Sequence, residues 1–162
     1  YTINNKSVNG RTIGGLLEDT ADFSGQYDLI LLQIGGNDIL QNRNTEAVLT
    51  DLKALLDRLA QHTDNIVMMT SGNVGAAVAF SGEKAQQYES LTRALRAGVI
   101  DIAASREDFT YVDLFDEPEN DPFVENPDTY TAFDELHPSD EGYALWYSKL
   151  KPVTDELLSK EQ

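Results

Sequence analysis

Three apolar runs punctuate this chain and set its expected architecture. Residues 28–34, 65–70 and 109–114 are short, nearly continuous and bounded by turn residues. The first two read as strands buried on both faces, the pattern of a parallel sheet, and the third as another strand of it. Between them the period changes. Over 45–61 the apolar residues are Val48, Leu49, Leu52, Leu55, Leu56 and Leu59, a one-sided helical spacing. Tyr88, Leu91, Leu95, Val99 and Ile102 predict a second helix over 83–105. A last helix from Ser139 is expected to bury Tyr143, Leu145, Trp146 and Leu150, with Pro152 breaking or restarting it. Near the start, residues 1–5 read as the tail of a strand, and Thr12 as the cap of a short helix through Leu16, Leu17 and Glu18.

The connecting segments are polar or small. Gly35-Gly36-Asn37-Asp38 ends the first run as a loop, and Ser71-Gly72-Asn73 closes the second. Residues 74–82 suit a loop lining a cleft. Residues 116–133 form a long acidic loop with Pro118, Pro122 and Pro127, which reads as a solvated functional lid. Strands alternating with helices imply right-handed crossovers and an α/β fold, a parallel sheet with helices on both faces. Such sheets bind ligands beyond the carboxyl ends of their strands. Gly10, Gly36-Asn37, Gly72-Asn73 and Asp134/His137 all fall there. Polar groups from distant parts of the chain are thus expected to converge.

Composition narrows the function. The 162 residues fit one domain, 1–162, with no internal linker or repeat. Net charge is −16, from 28 acids against 12 bases. That surface repels phosphate backbones and anionic lipid, which argues against nucleic-acid partners. No apolar run is long enough to span a bilayer, so no membrane insertion is expected. The absence of cysteine removes disulfides, thiolate catalysis and Cys-ligated zinc. No phosphate loop, dinucleotide fingerprint or His-Glu-x-x-His is present, so neither a cofactor nor a metal is expected. The acidic stretch within the long loop lacks the spacing of a calcium loop. The compartment stays open.

Candidate chemistry centres on Asp134-Glu135-Leu136-His137-Pro138. A proton-transferring histidine needs a partner that fixes its tautomer and stabilises the imidazolium, and a carboxylate three residues away can do both. Ser139 is expected to cap the helix that follows. His62, the other histidine, sits at a predicted helix end and reads as structural. Asp113 reads as a carboxylate capping a loop. Gly72-Asn73 fits a pocket lining and an ordinary turn equally well. Taken without partners, Gly35-Gly36-Asn37-Asp38 is a strand-ending turn.

Taken in order, Asn5-x-Ser7-Val8-Asn9-Gly10-x-Thr12, Ile34-Gly35-Gly36-Asn37-Asp38 and Asp134-x-x-His137-Pro138 resemble the GDSL, or SGNH, hydrolase family. Tyr111-Val112-Asp113-Leu114, Asp121-Pro122-Phe123 and the run to Gly142-Tyr143 look like a bacterial esterase branch of it. The resemblance implies a flavodoxin-like three-layer α/β/α fold and a serine esterase acting on small-molecule esters without a cofactor. It implies His137 as general base, Asp134 as its orienting acid, and Gly10 N–H with the Asn37 amide as oxyanion hole. Gly36 and Asn73 are carried as pocket-lining candidates. One departure stands out: the Gly-Asp-Ser block that carries the nucleophile is absent. Ser7, Ser24, Ser71 and Ser139 stand in other contexts, and no Gly-x-Ser-x-Gly elbow exists. The chain therefore reads as the C-terminal portion of a longer domain. The first central strand and the nucleophile would lie upstream, so that this piece alone is inactive and an upstream fragment of the same protein completes the sheet. The competing reading is a non-catalytic domain on the same fold that binds a carbohydrate or acylated ligand.

Overall fold

In the computed structural model, which describes residues 2–159, three parallel strands run in the order β1-β2-β3: β1 (Ile30–Gln33), β2 (Ile66–Met69) and β3 (Phe109–Val112). Their register sets Ile30 beside Ile66 and Ile66 beside Phe109. The helices are α1 (Ile13–Asp19), α2 (Gly36–Leu40), α3 (Thr45–Leu59), α4 (Gly82–Ala104), α5 (Pro122–Glu125), α6 (Pro127–Tyr130) and α7 (Asp140–Ser159). The chain is thus mixed α/β with helices on both sheet faces, as its periodicity predicts.

The alternation of β2 divides the core. Ile66 and Met68 join one apolar cluster with Ile13 of α1, Leu52, Leu55 and Leu56 of α3, and Leu95 and Val99 of α4. Val67 and Met69 point the other way and pack with Val112, Leu114, Trp146 and Leu150 of α7. All four residues of β2 are buried. Burying one such side chain stabilises the fold by about 1.5–3 kcal/mol, so this central strand anchors both layers.

The structure corrects several expectations. β1 is not buried on both faces: Leu32 is 7% exposed but Leu31 is 45% exposed. Leu31 lies beside Val67, on the face that α7 covers over β2 and β3, and that cover does not extend to β1. Tyr1 lies outside the described residues, and residues 2–5 form no strand, because no neighbouring strand exchanges hydrogen bonds with them. Pro152 does not break α7, which continues through it. Val153 and Leu157 pack on the second cluster and hold the helix in place, while the exposed proline leaves the unbonded carbonyl open to water. Tyr143 is 46% exposed; the buried stripe of α7 is Gly142, Trp146 and Leu150, and Leu145 is half-buried. The segment 116–133 is no open lid. Pro118, Pro122 and Pro127 each begin a short helical turn, where a missing N–H costs nothing. No helix among the described residues is long and apolar enough to cross a membrane.

Candidate active site

The turn before α7 builds the acid–imidazole pair from local bonds. Asp134 Oδ1 accepts from the backbone N–H of Leu136 (3.1 Å) and of His137 (2.9 Å), and Oδ2 lies 2.6 Å from His137 Nδ1. Glu135 takes a left-handed φ of 63° to close this turn. The two backbone donors and the imidazole hold the Asp134 carboxyl down at about 2. It is therefore ionised throughout the neutral range, where it can stabilise a positively charged ring. With Nδ1 engaged, Nε2 is the ring nitrogen left to move a proton. Ser139 caps the following helix as expected: its Oγ accepts from Gly142 N at 3.1 Å.

Beyond β1 the chain turns sharply into α2. Gly35 takes φ 109°, a conformation glycine adopts without penalty, and begins the helical turn. A Cβ on Gly36 would lie 2.4 Å from Ser71 Oγ, so a side chain there would force the Ser71 hydroxyl to swing away. The segment read as a loop is thus a short helix, and it carries Asn37 in its first turn. Asn37 Nδ2 donates to Arg11 O at 3.2 Å, which leaves its second N–H. Asp38 is 2% exposed. Its Oδ2 accepts from Ile13 N at 3.0 Å, and Arg43 Nε lies 3.7 Å from its Oδ1. Burial raises its pKa, against the lowering effects of that backbone bond and of Arg43. Asp38 ties α2 to the start of α1 and so positions Asn37.

Asn37, Gly36, Asn73 and His137 line a single cleft of about 160 Å³. Leu40, Val74, Leu114 and Phe123 supply apolar wall, joined by Tyr143 and Trp146, whose rings meet edge to face with centroids 5.9 Å apart. Gly10 is not among the lining residues. It is exposed in a turn with φ 75°, with nothing within 4 Å of where a Cβ would stand. Asp134 reaches the cleft only through His137. Sequence reasoning placed neither Ser71 nor Asp121 on the cleft, and both line it. Ser71 follows β2, whose carboxyl end opens on the cleft; no hydrogen bond joins it to His137 among the described residues. Asp121 is 5% exposed, accepts from Phe123 N at 2.9 Å through Oδ1, and has its pKa raised by burial. The signal for it was the Asp-Pro pair that starts α5.

The remaining candidates are structural. His62 Nδ1 lies 2.7 Å from Gly25 O, with its ring edge-on to Phe23. Asp113 is half-buried, pairs with Arg96 at 2.6 Å and accepts from Phe115 N. Among the described residues no cluster of three or more His, Asp or Glu could hold a metal ion.

The model of a family described as GDSL-like Lipase/Acylhydrolase family matches residues 1–145. Among solved structures, the chain resembles a member of the lipolytic protein G-D-S-L family from Veillonella parvula DSM 2008, at TM-score 0.65 and 18% identity, over 89% of this chain and 75% of that one. It also resembles a protein from Streptococcus pneumonia provisionally described as a platelet activating factor, at TM-score 0.67 and 27% identity, over 96% and 72%. A third likeness is to esterase AlinE4, solved as a serine-to-alanine mutant, at TM-score 0.54 and 19% identity, over 99% and 77%. No curated protein matches the chain.

Proposed function

The chain belongs to the GDSL-like lipase/acylhydrolase family, a family of esterase- and lipase-like hydrolases, and on that premise we propose that it hydrolyses carboxylic esters through an acyl-serine at the cleft shared by Asn37 and His137. The observation that carries this reading is the Asp134–His137 pair, fixed at 2.6 Å with Nε2 left to act, on a cleft that Asn37 also lines.

Each group has one task. His137 Nε2 takes the serine proton as the serine oxygen bonds to the acyl carbon and the carbonyl electrons move onto oxygen. The Asn37 N–H left free by Arg11, joined by Gly10 N–H, stabilises that oxyanion; one such donor is worth about 10²–10³ in rate. The imidazolium, balanced by ionised Asp134, returns its proton to the alcohol as the C–O bond breaks. Water then repeats the sequence on the acyl-enzyme. The nucleophile in this reading is a serine upstream of residue 1, on a strand paired to the free edge of β1. That edge, with Leu31 uncovered, supports an upstream segment of the same protein as partner. Gly10 would be drawn to the cleft by the same segment. Residues 1–162 alone are then inactive.

The test is nitrophenyl acetate hydrolysis by the protein carrying its native upstream residues, beside residues 1–162 alone. Turnover by the longer protein only, abolished in His137→Ala, is the expected result. Turnover by residues 1–162 would assign the nucleophile to Ser71, which lines the cleft. No turnover by either would favour the ligand-binding alternative.

A further inference from the structure

One residue of the cleft wall carries a buried hydrogen-bond donor with no acceptor among the described residues. Asn73 is 7% exposed and lines the cleft with Ser71, Val74 and His137. Its Oδ1 accepts from Gly75 N at 3.1 Å, which fixes the orientation of the amide. Nδ2 is buried and donates to no acceptor among the described residues. Native proteins carry few such groups, because an unpaired buried donor keeps its full desolvation penalty. The one comparable atom among the described residues, Asp38 Oδ1, has the Arg43 guanidinium 3.7 Å away and does not line this cleft. Asn73 has no such compensation. Asp121 places a second buried polar group on the same cleft. A hydrocarbon chain seated against Asn73 would leave its N–H unpaired, whereas an oxygen would pair it.

We propose that Asn73 is a specificity-determining residue: its Nδ2–H receives an oxygen of the substrate, so the cleft prefers esters bearing a hydroxyl, ether or further carbonyl oxygen near the scissile group over esters of a plain hydrocarbon chain. The proposal rests on the esterase reading and adds a substrate class to it. A site built to hydrogen-bond a substrate group rejects the analogue lacking it far more strongly than an apolar pocket rejects a missing methylene.

Two matched pairs of esters test this on the protein with its native upstream residues. Nitrophenyl methoxyacetate and nitrophenyl butanoate differ by an oxygen for a methylene in the acid. In the alcohol, 2-methoxyethyl acetate and butyl acetate differ in the same way. Asn73→Asp keeps an oxygen for Gly75 N but has no N–H, and Asn73→Ala is a neutral variant that has no donor either and also gives up the Gly75 bond. Comparing wild type and variant on the same pair cancels the intrinsic reactivity of the esters. In at least one pair the kcat/KM ratio of oxygenated to hydrocarbon ester is expected to fall about tenfold or more in both variants, mainly through KM. An unchanged ratio in both pairs, in variants shown to be folded by circular dichroism, overturns the proposal and leaves Asn73 a turn cap. If neither variant folds, the Asn73 side-chain amide signals of the wild type decide. Movement with methoxyacetate but not with butanoate supports the proposal, and equal response overturns it. His137→Ala separates the two readings. Hydrolysis that this variant abolishes keeps the esterase reading whichever way the ratio goes, and no hydrolysis of any of the four esters overturns both.

Discussion

The turn at 134–137 and the turn ending at Gly10 bear on the same proposed reaction, yet they are built in opposite ways. The first closes on itself within four residues, since both oxygens of Asp134 are used by Leu136 and His137. The second has, among the described residues, a single bond of its own, Ser7 N to Asn5 Oδ1 at 2.9 Å, and every residue from Thr2 to Gly10 is exposed. Geometry closed by near neighbours forms wherever the chain places it. Geometry that depends on a neighbouring element forms only against that element. Asn37 stands between these extremes: it is held through Asp38 and Ile13, contacts distant in sequence but present in residues 2–159.

The sharpest way to break this contrast is at the self-contained turn. His137→Ala is expected to lower ester turnover of the upstream-extended protein about 10⁴-fold or more. Its side chain is 64% exposed, so the thermal midpoint should barely move. A large fall in the midpoint would show that the turn supports the fold and not only the chemistry. Asn37→Ala is expected to cost about 10²–10³ in kcat, with KM little changed, as for loss of one oxyanion donor. An effect confined to KM would make Asn37 a ground-state binder instead.

Asp38 tests the long-range half. Asp38→Ala leaves the buried Ile13 N–H without its acceptor and should cost about 1–3 kcal/mol in urea denaturation. Asp38→Asn keeps an acceptor and should cost less. Burial raises the Asp38 pKa above its unfolded value, so folding favours the protonated form. Its contribution is full below about pH 4, the ordinary carboxylate value, and is lost as pH rises through the folded pKa. The stability of wild type relative to Asp38→Asn should therefore decline as pH rises above about 4. A difference that grows with pH would contradict the desolvation account.

The smallest effect is the titration of Asp134 itself. Its carboxyl, held down first by the His137 backbone N–H and then by the ring, should titrate at about 2 by carbon NMR. The stability it contributes is present above the ordinary carboxylate range and lost as pH falls toward that value. In His137→Ala the backbone donors remain, so the pKa should rise only part of the way to normal. A full return to normal would assign the whole shift to the imidazole.

Legibility in the sequence follows the same division. The strand runs and the stripes of α3 and α4 could be read because burial on β2 and one-sided helical spacing are local patterns. Asp134, His137 and the Ser139 cap could be read for the same reason. Nothing in Gly35-Gly36-Asn37-Asp38 has a helical apolar period; α2 forms because Gly35 reverses the chain and Asp38 is buried against α1. Leu31 looks like any core leucine until the reach of α7 is known. Pro152 is tolerated because side chains beyond it are already packed. The unpaired amide of Asn73 depends on every neighbour at once and leaves no trace in composition or spacing.

The central claim, that His137 activates a serine lying before residue 1, is most directly tested by labelling the upstream-extended protein with a fluorophosphonate and mapping the modified residue by mass spectrometry. The account predicts one labelled serine, upstream of residue 1, whose labelling collapses in His137→Ala. Label on Ser71, or labelling at an upstream serine that is indifferent to His137, would contradict it.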